Sequence, residues 1–156
     1  EIARKAAINA NAGDLADLRA MIDAHATVAT DPIGFRILDS RFHEKLSAIA
    51  GNAVLQHIAY GLYNLGLDIR RRATAELGII DQSTADHARI VAAIAARNPD
   101  RAADEMRIHL SHIEDSTRRI AVKAAANGAG LHCLPGSYRL GMDPRVALRF
   151  ATLARG

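Results

Sequence analysis

Four residues of this chain have the types and the spacing to hold a divalent metal ion: Asp39, His43, His87 and His109. Asp39 and His43 stand four apart in a run, Ile33 to Ala50, whose apolar residues Phe35, Leu38, Phe42, Leu46 and Ile49 recur at helical spacing. Residues four apart are neighbours on a helix, so both side chains fall on the inward stripe. A carboxylate there is costly unless it is paired or holds a cation. His87 shares a helix face with Ile90, Val91 and Ile94, and His109 shares one with Met106 and Ile113. Both imidazoles therefore face inward from helices other than that of Asp39. Three imidazoles and a carboxylate suit Zn²⁺, Ni²⁺ or a similar divalent ion. Four such ligands complete a tetrahedral structural zinc, whereas an octahedral ion keeps two positions for water or a chelating ligand. The bland alternative is a set of buried histidines bonded to carbonyls or to Asp39. It accounts for any one of them better than for all four.

The elements that must position these residues are helices. The apolar content is mostly Ala, Leu and Ile, with no Trp and only four Pro, a mix that favours helix nearly everywhere. The expected fold is all-α, an antiparallel bundle of about six helices with an interior metal and ligand cavity. Glu1 to Ala10 reads as the tail of a helix, broken by Asn11-Ala12-Gly13. Asp14 is the expected cap of a second helix, Leu15 to His25, with Leu15, Leu18, Met21 and Ile22 on its inner face. Asp31-Pro32 starts the helix of Asp39 and His43, and Gly51-Asn52 ends it. A fourth helix, Ala53 to Ala75, carries the core stripe Leu55, Ile58, Leu62, Leu65 and Ile69. Asp81 or Ser83 caps a fifth helix to Arg97, and Asn98-Pro99 opens a sixth to Ala126. His87 precedes Asn98 by eleven residues and His109 follows it by eleven, so the two lie at one height across an antiparallel hairpin.

Residues 1–126 thus form one helical domain. Residues 127–156 form a Gly- and Pro-containing extension of unassigned role, with a short helix expected over 144–154. His112, one turn beyond His109, is placed at the rim of the cavity or behind a ligand. His25 is assigned to the dipole at its helix C-terminus. His57, His132 and the lone Cys133 find no partner.

Composition narrows the function classes. The formal charge of +3 is dispersed apart from Arg70-Arg71-Arg72, unlike the basic stripe of a DNA reader. One cysteine excludes an internal disulfide and suits a reducing, cytoplasmic setting. No apolar run reaches the length of a membrane span, and no basic-then-apolar signal pattern is read in these residues. The chain opens on Glu1 in mid-helix pattern and is expected to be a fragment.

In their order, Asp39-Ser-Arg-Phe-His43, Ala50-Gly51-Asn52, Asp86-His87-Ala-Arg-Ile90 with Ala93-Ile94, Pro99-Asp100-Arg-Ala-Ala103 and Met106-Arg-Ile-His109-Leu110 form a specific set. It resembles the FCD effector-binding domain of FadR-type GntR transcription regulators over about Ala3 to Ala125. The resemblance implies a helical bundle that binds a small carboxylate metabolite in its middle, with one Asp and three His holding a divalent ion. By position those are Asp39, His43, His87 and His109. It also implies a homodimer that acts on operator DNA only through an N-terminal winged helix-turn-helix, which is not found in these residues. Arg36, one turn before Asp39, and Arg70, one turn after Gly66, are candidates with His112 for meeting the effector, since a guanidinium matches a carboxylate. No catalytic residue is assigned. The rival readings are a metal-dependent hydrolase or lyase at the same site and a purely structural dimerisation module. Against the enzyme, no His-Glu-x-x-His pattern occurs, and Glu44, next to His43, is expected to point away.

Overall fold

The fold is taken from a computed structural model that describes residues 1–65, 71, 74 and 78–126. Among the described residues there are six α-helices: α1 (Ile2–Asn9), α2 (Ala12–Thr27), α3 (Pro32–Ile49), α4 (Ala53–Leu65), α5 (Ile79–Ala95) and α6 (Pro99–Ala126). No described helix is long and apolar enough to cross a membrane.

Local chemistry sets the helix ends. Asn11, not Asp14, caps α2: its Oδ1 accepts from the Asp14 amide at 2.9 Å, while the Asp14 carboxylate accepts from the Asn11 amide at 3.1 Å. This reciprocal box starts the helix earlier than expected, because Asp14 acts as its third residue rather than as its cap. Asp31 caps α3 through the Ile33 amide at 3.0 Å, with Pro32 in the first turn. Gly51 closes α3 at φ +66°, in the left-handed region. Asn9 Nδ2 donates to the carbonyls of Ile49 at 3.2 Å and Ala50 at 3.1 Å, which ties the end of α1 to the end of α3. Gly78, at φ +82°, precedes α5, so neither Asp81 nor Ser83 is its cap. Asp81 lies in the first turn and Ser83 is buried. At the far end Arg97 takes φ +54° and donates to the Ile8 carbonyl at 3.2 Å.

The core forms where α1, α2, α3 and α5 meet, since α2 packs on α3 and α5, and α1 packs on the same two. Ala3, Ala6, Ala7 and Ala10 are buried, so α1 contributes an almost side-chain-free face on which Leu18, Phe42, Leu46, Ile90 and Ile94 close. Leu15, Met21 and Ile22 pack against this cluster as their phase requires.

α4 departs from expectation. It packs on α3, but Ile58 is 53% and Leu62 60% exposed, so the stripe read as core borders a cavity instead. Ile69 lies outside the described residues, as does most of the segment expected to complete this helix. By its contacts the chain divides into two compact units, Glu1–Lys123 and Ala124–Gly156. Residues 127–156, with the short helix expected there, lie outside the described residues.

Candidate metal centre

α3 supplies the acid and the first imidazole. Its inner stripe buries Phe35, Asp39, Phe42 and Leu46, with His43 half-buried beside them. Asp39 Oδ1 lies 3.5 Å from Nε2 of His43 and 3.5 Å from Nε2 of His87. The Tyr63 hydroxyl on α4 donates to Asp39 Oδ2 at 3.0 Å, so one oxygen is held from α4 while the other faces the imidazoles. Burial pushes the Asp39 carboxyl up. That push is outweighed by the charge and hydrogen bonding of His43, by the charge of His87 and by the Tyr63 hydroxyl, so the group stays an anion well below the usual carboxylate range.

α5 and α6 bring the other two imidazoles together across their hairpin, with ring centroids 4.6 Å apart for His87 and His109. His43 lies 5.2 Å from His87 and 5.5 Å from His109 by the same measure. His43, His87 and His109 each offer a ligand atom, all within 4.8 Å of one another. Bonds of 2.0–2.1 Å to a tetrahedral ion put neighbouring ligand atoms about 3.4 Å apart. The spacings from Asp39 to His43 and His87 match that figure, and the trio as a whole is somewhat wider.

Protonation states favour a cation at this point. Burial, then the neighbouring His43, pushes His109 down to about 4. Burial likewise holds His87 well below the usual imidazole value, with His43 adding to it. Both rings are therefore neutral at pH 7, the form that donates a lone pair to a metal. His87 is fully buried, and neither of its ring nitrogens has a hydrogen-bond partner. An orphaned imidazole is expensive, and a divalent ion would satisfy it.

Behind His109 stands Asp86, which is 1% exposed. Its Oδ2 faces His109 Nδ1 at 3.4 Å and accepts from His112 Nδ1 at 2.8 Å. Its Oδ1 accepts from Gln82 Nε2 at 2.9 Å and from Arg89. A carboxylate on Nδ1 fixes the proton there and turns Nε2 toward the other imidazoles, the arrangement usual behind metal-bound histidines. Burial raises the Asp86 carboxyl, but the bonds from His112 and Gln82 outweigh it and keep it ionised.

Asp39, His43, His87 and His109 thus converge, while Arg36 and His112, expected to meet the effector, lie apart from them. His112 is taken up by Asp86. The Arg36 carbonyl accepts from Tyr63 at 3.4 Å, and Arg36 is not among the residues lining the cavity beside the imidazoles. Arg70 lies outside the described residues. Glu44, expected to point away, borders that cavity as an exposed residue whose carboxylate accepts from the Ser40 hydroxyl at 3.0 Å. A helix face wide enough to flank a cavity takes in the residue beside the inner stripe.

Three residues beside the ligands were given no role at the site by the sequence. Asp86 and Tyr63 act from behind the ligands, where their neighbour His87 and the α4 stripe drew the attention. His25 is fully buried, 5.2 Å from His87 and 5.2 Å from Phe35 by ring centroids, and neither of its nitrogens has a hydrogen-bond partner. Burial lowers its pKa. Its position seven residues after the buried Leu18 carried that signal, which the helix-end reading overrode.

The cavity beside the imidazoles measures about 500 Å³ and runs between α3, α4 and α6. That is the scale of a small-molecule site.

No curated protein matches the chain in sequence. The family model of the FCD domain matches residues 1–112, which include all four converging residues, Tyr63 and Asp86. The chain therefore belongs to the FCD domain family, the effector-sensing domains of GntR-family transcription regulators, which bind signals rather than catalyse reactions.

Proposed function

We propose that Asp39, His43, His87 and His109 hold one divalent metal ion, Zn²⁺ or Ni²⁺, and that a small carboxylate effector binds beside it in the cavity between α3, α4 and α6. The observation that carries this reading is the buried His87, whose unpartnered ring faces Asp39 Oδ1 at 3.5 Å in a cluster of three imidazoles. The ion supplies Lewis acidity and an attachment point for an anionic headgroup. The chain's own residues do the rest. Asp39 supplies the negative charge, Tyr63 holds its second oxygen, and Asp86 fixes the tautomer of His109.

An effector here regulates by binding one arrangement of the helices more tightly than another. α4 is the element that such a ligand would move or clamp, since it carries Tyr63 and an exposed apolar wall of the cavity. Family membership supports a cytoplasmic homodimer whose DNA contacts belong to a separate winged helix-turn-helix domain. The same membership favours a sensor over a hydrolase.

The test is metal content and melting temperature. Wild-type chain should retain about one ion per chain after dialysis against Zn²⁺ and lose several degrees of melting temperature with chelator, because binding to the native state stabilises it by mass action. Asp39→Ala and His87→Ala should each lose the bound ion. Full occupancy in both variants would rule the site out.

A further inference from the structure

We propose that His25, on α2, is a positioning residue for His87: it accepts the proton on His87 Nδ1 and gives its own N–H to the Leu38 carbonyl of α3. This rests on the proposal that His87 is a metal ligand, and it adds the partner that fixes how that ring is turned.

Both rings are fully buried, and none of their four nitrogens has a hydrogen-bond partner. Two orphaned imidazoles side by side are costly, since each buried polar group left unpaired forfeits its bonds to water. A metal ion relieves only one of the four nitrogens. His87 Nε2 is the atom 3.5 Å from Asp39 Oδ1, so it is the one turned to the cluster, and the proton of the neutral ring then resides on Nδ1. A metal-bound histidine almost always gives that second N–H to an acceptor behind it. For His109 the acceptor is Asp86, 3.4 Å from Nδ1. For His87 it is His25.

The two ring centroids lie 5.2 Å apart, with the planes tilted by 43°. An N–H···N bond of about 3 Å between imidazoles sets their centroids roughly 5 Å apart, so a turn of the His25 ring closes the bond without bringing the helices nearer. The other rings beside His25 are Phe35 and Phe42, at 5.2 and 6.0 Å, and neither has a polar atom to offer. The oxygens of Asp39 are engaged, Oδ1 facing His43 and His87 and Oδ2 accepting from Tyr63. Burial lowers the pKa of His25, while the Asp39 charge and then the Leu38 carbonyl oppose it, so a backbone acceptor stands near the ring. A helical carbonyl keeps a second lone pair for such a donor. With the ion, His87, His25 and Leu38 in sequence, every one of the four nitrogens has a partner. A neutral imidazole also serves here without burying another anion beside Asp39. The chain of bonds ties α2, which supplies no ligand, to the ion.

The test uses the full chain, loaded with Zn²⁺ and labelled with ¹⁵N at histidine. NMR should show the His87 proton on Nδ1 and a nitrogen–nitrogen coupling across the hydrogen bond to His25. Resolved signals from both rings without that coupling would overturn the proposal. In chelator competition, His25→Phe, which keeps a buried ring, should weaken Zn²⁺ binding by about 10–100-fold. His25→Asn and His25→Gln place an amide oxygen where Nδ1 and Nε2 stand, and one of the two should restore most of the loss. Binding by His25→Phe as tight as wild type would refute the role, and so would a loss shared equally by all three variants. A wild-type chain that takes up no Zn²⁺ would instead bring down the metal reading beneath it, a result obtained before any variant is compared.

Discussion

A carboxylate that serves two imidazoles from one oxygen has to be fixed by its own surroundings, and Asp86 is. Gln82 and Arg89 hold Oδ1, which leaves Oδ2 for His109 and His112. The consequence falls on affinity rather than on the presence of ligands. Asp86→Ala should keep all four candidate ligands and weaken Zn²⁺ binding by about 10–100-fold, read by competition with a chromogenic chelator. An unchanged affinity would mean that Asp86 serves only the packing of α5 against α6. At this scale the sequence was informative where phase alone decides. Asp39, His43, His87 and His109 are all found inward because each has an apolar neighbour three residues away, Phe42, Leu46, Ile90 and Met106 respectively. Phase could not identify Tyr63, since a tyrosine on an apolar stripe looks like any other core aromatic until the acid opposite it is known. It could not release His25 from the dipole explanation either, because a helix-end histidine and a core histidine share the same sequence neighbourhood.

Helix ends organise the elements, and the join of α1 to α3 is the clearest case. Gly51 sits at φ +66°, and the two carbonyls just before it accept from Asn9. A Cβ at Gly51 would meet Asn9 Nδ2 at 3.4 Å, an ordinary contact, so the cost of a side chain there is conformational. Gly51→Ala should therefore destabilise the chain by about 1 kcal/mol in urea unfolding, with the slope unchanged. A loss near zero would show that the left-handed turn is not kept in solution. The Asp31-Pro32 and Gly51 signals were legible because one residue type answers one backbone need. The start of α2 was less so, since Asn11 and Asp14 both cap well, and a reciprocal box uses both. The start of α5 was misjudged for another reason. Gly78 gives the turn its left-handed φ without any side-chain cap, and a glycine in a loop carries no sign of direction. For α4 the period was right and the destination was not: an apolar stripe says that something covers it, not whether that is protein or ligand.

For the molecule as a whole, the buried imidazoles link stability to pH. His87 and His109 are depressed in the folded state, chiefly by burial, so the unfolded chain binds protons that the native chain refuses. Their neutral forms cost the native state nothing above the unfolded value near 6.5. Stability then falls as pH drops from there toward the folded value of about 4 for His109, by roughly 3 kcal/mol for that residue alone. The depressed carboxyls of Asp39 and Asp86 add a second loss, beginning below the usual carboxylate value. The metal-free chain should thus melt progressively lower between pH 6.5 and 4.5, as followed by circular dichroism. A flat profile over that window would contradict the burial of these rings.

The central claim, one ion shared by a single acid and imidazoles from three helices, is tested most directly by X-ray absorption at the zinc edge of the Zn²⁺-loaded chain. Nitrogen and oxygen neighbours at about 2.0–2.1 Å, with the outer scattering of three imidazole rings, are the predicted result. A shell of oxygen alone, or one with fewer than two imidazoles, would contradict it.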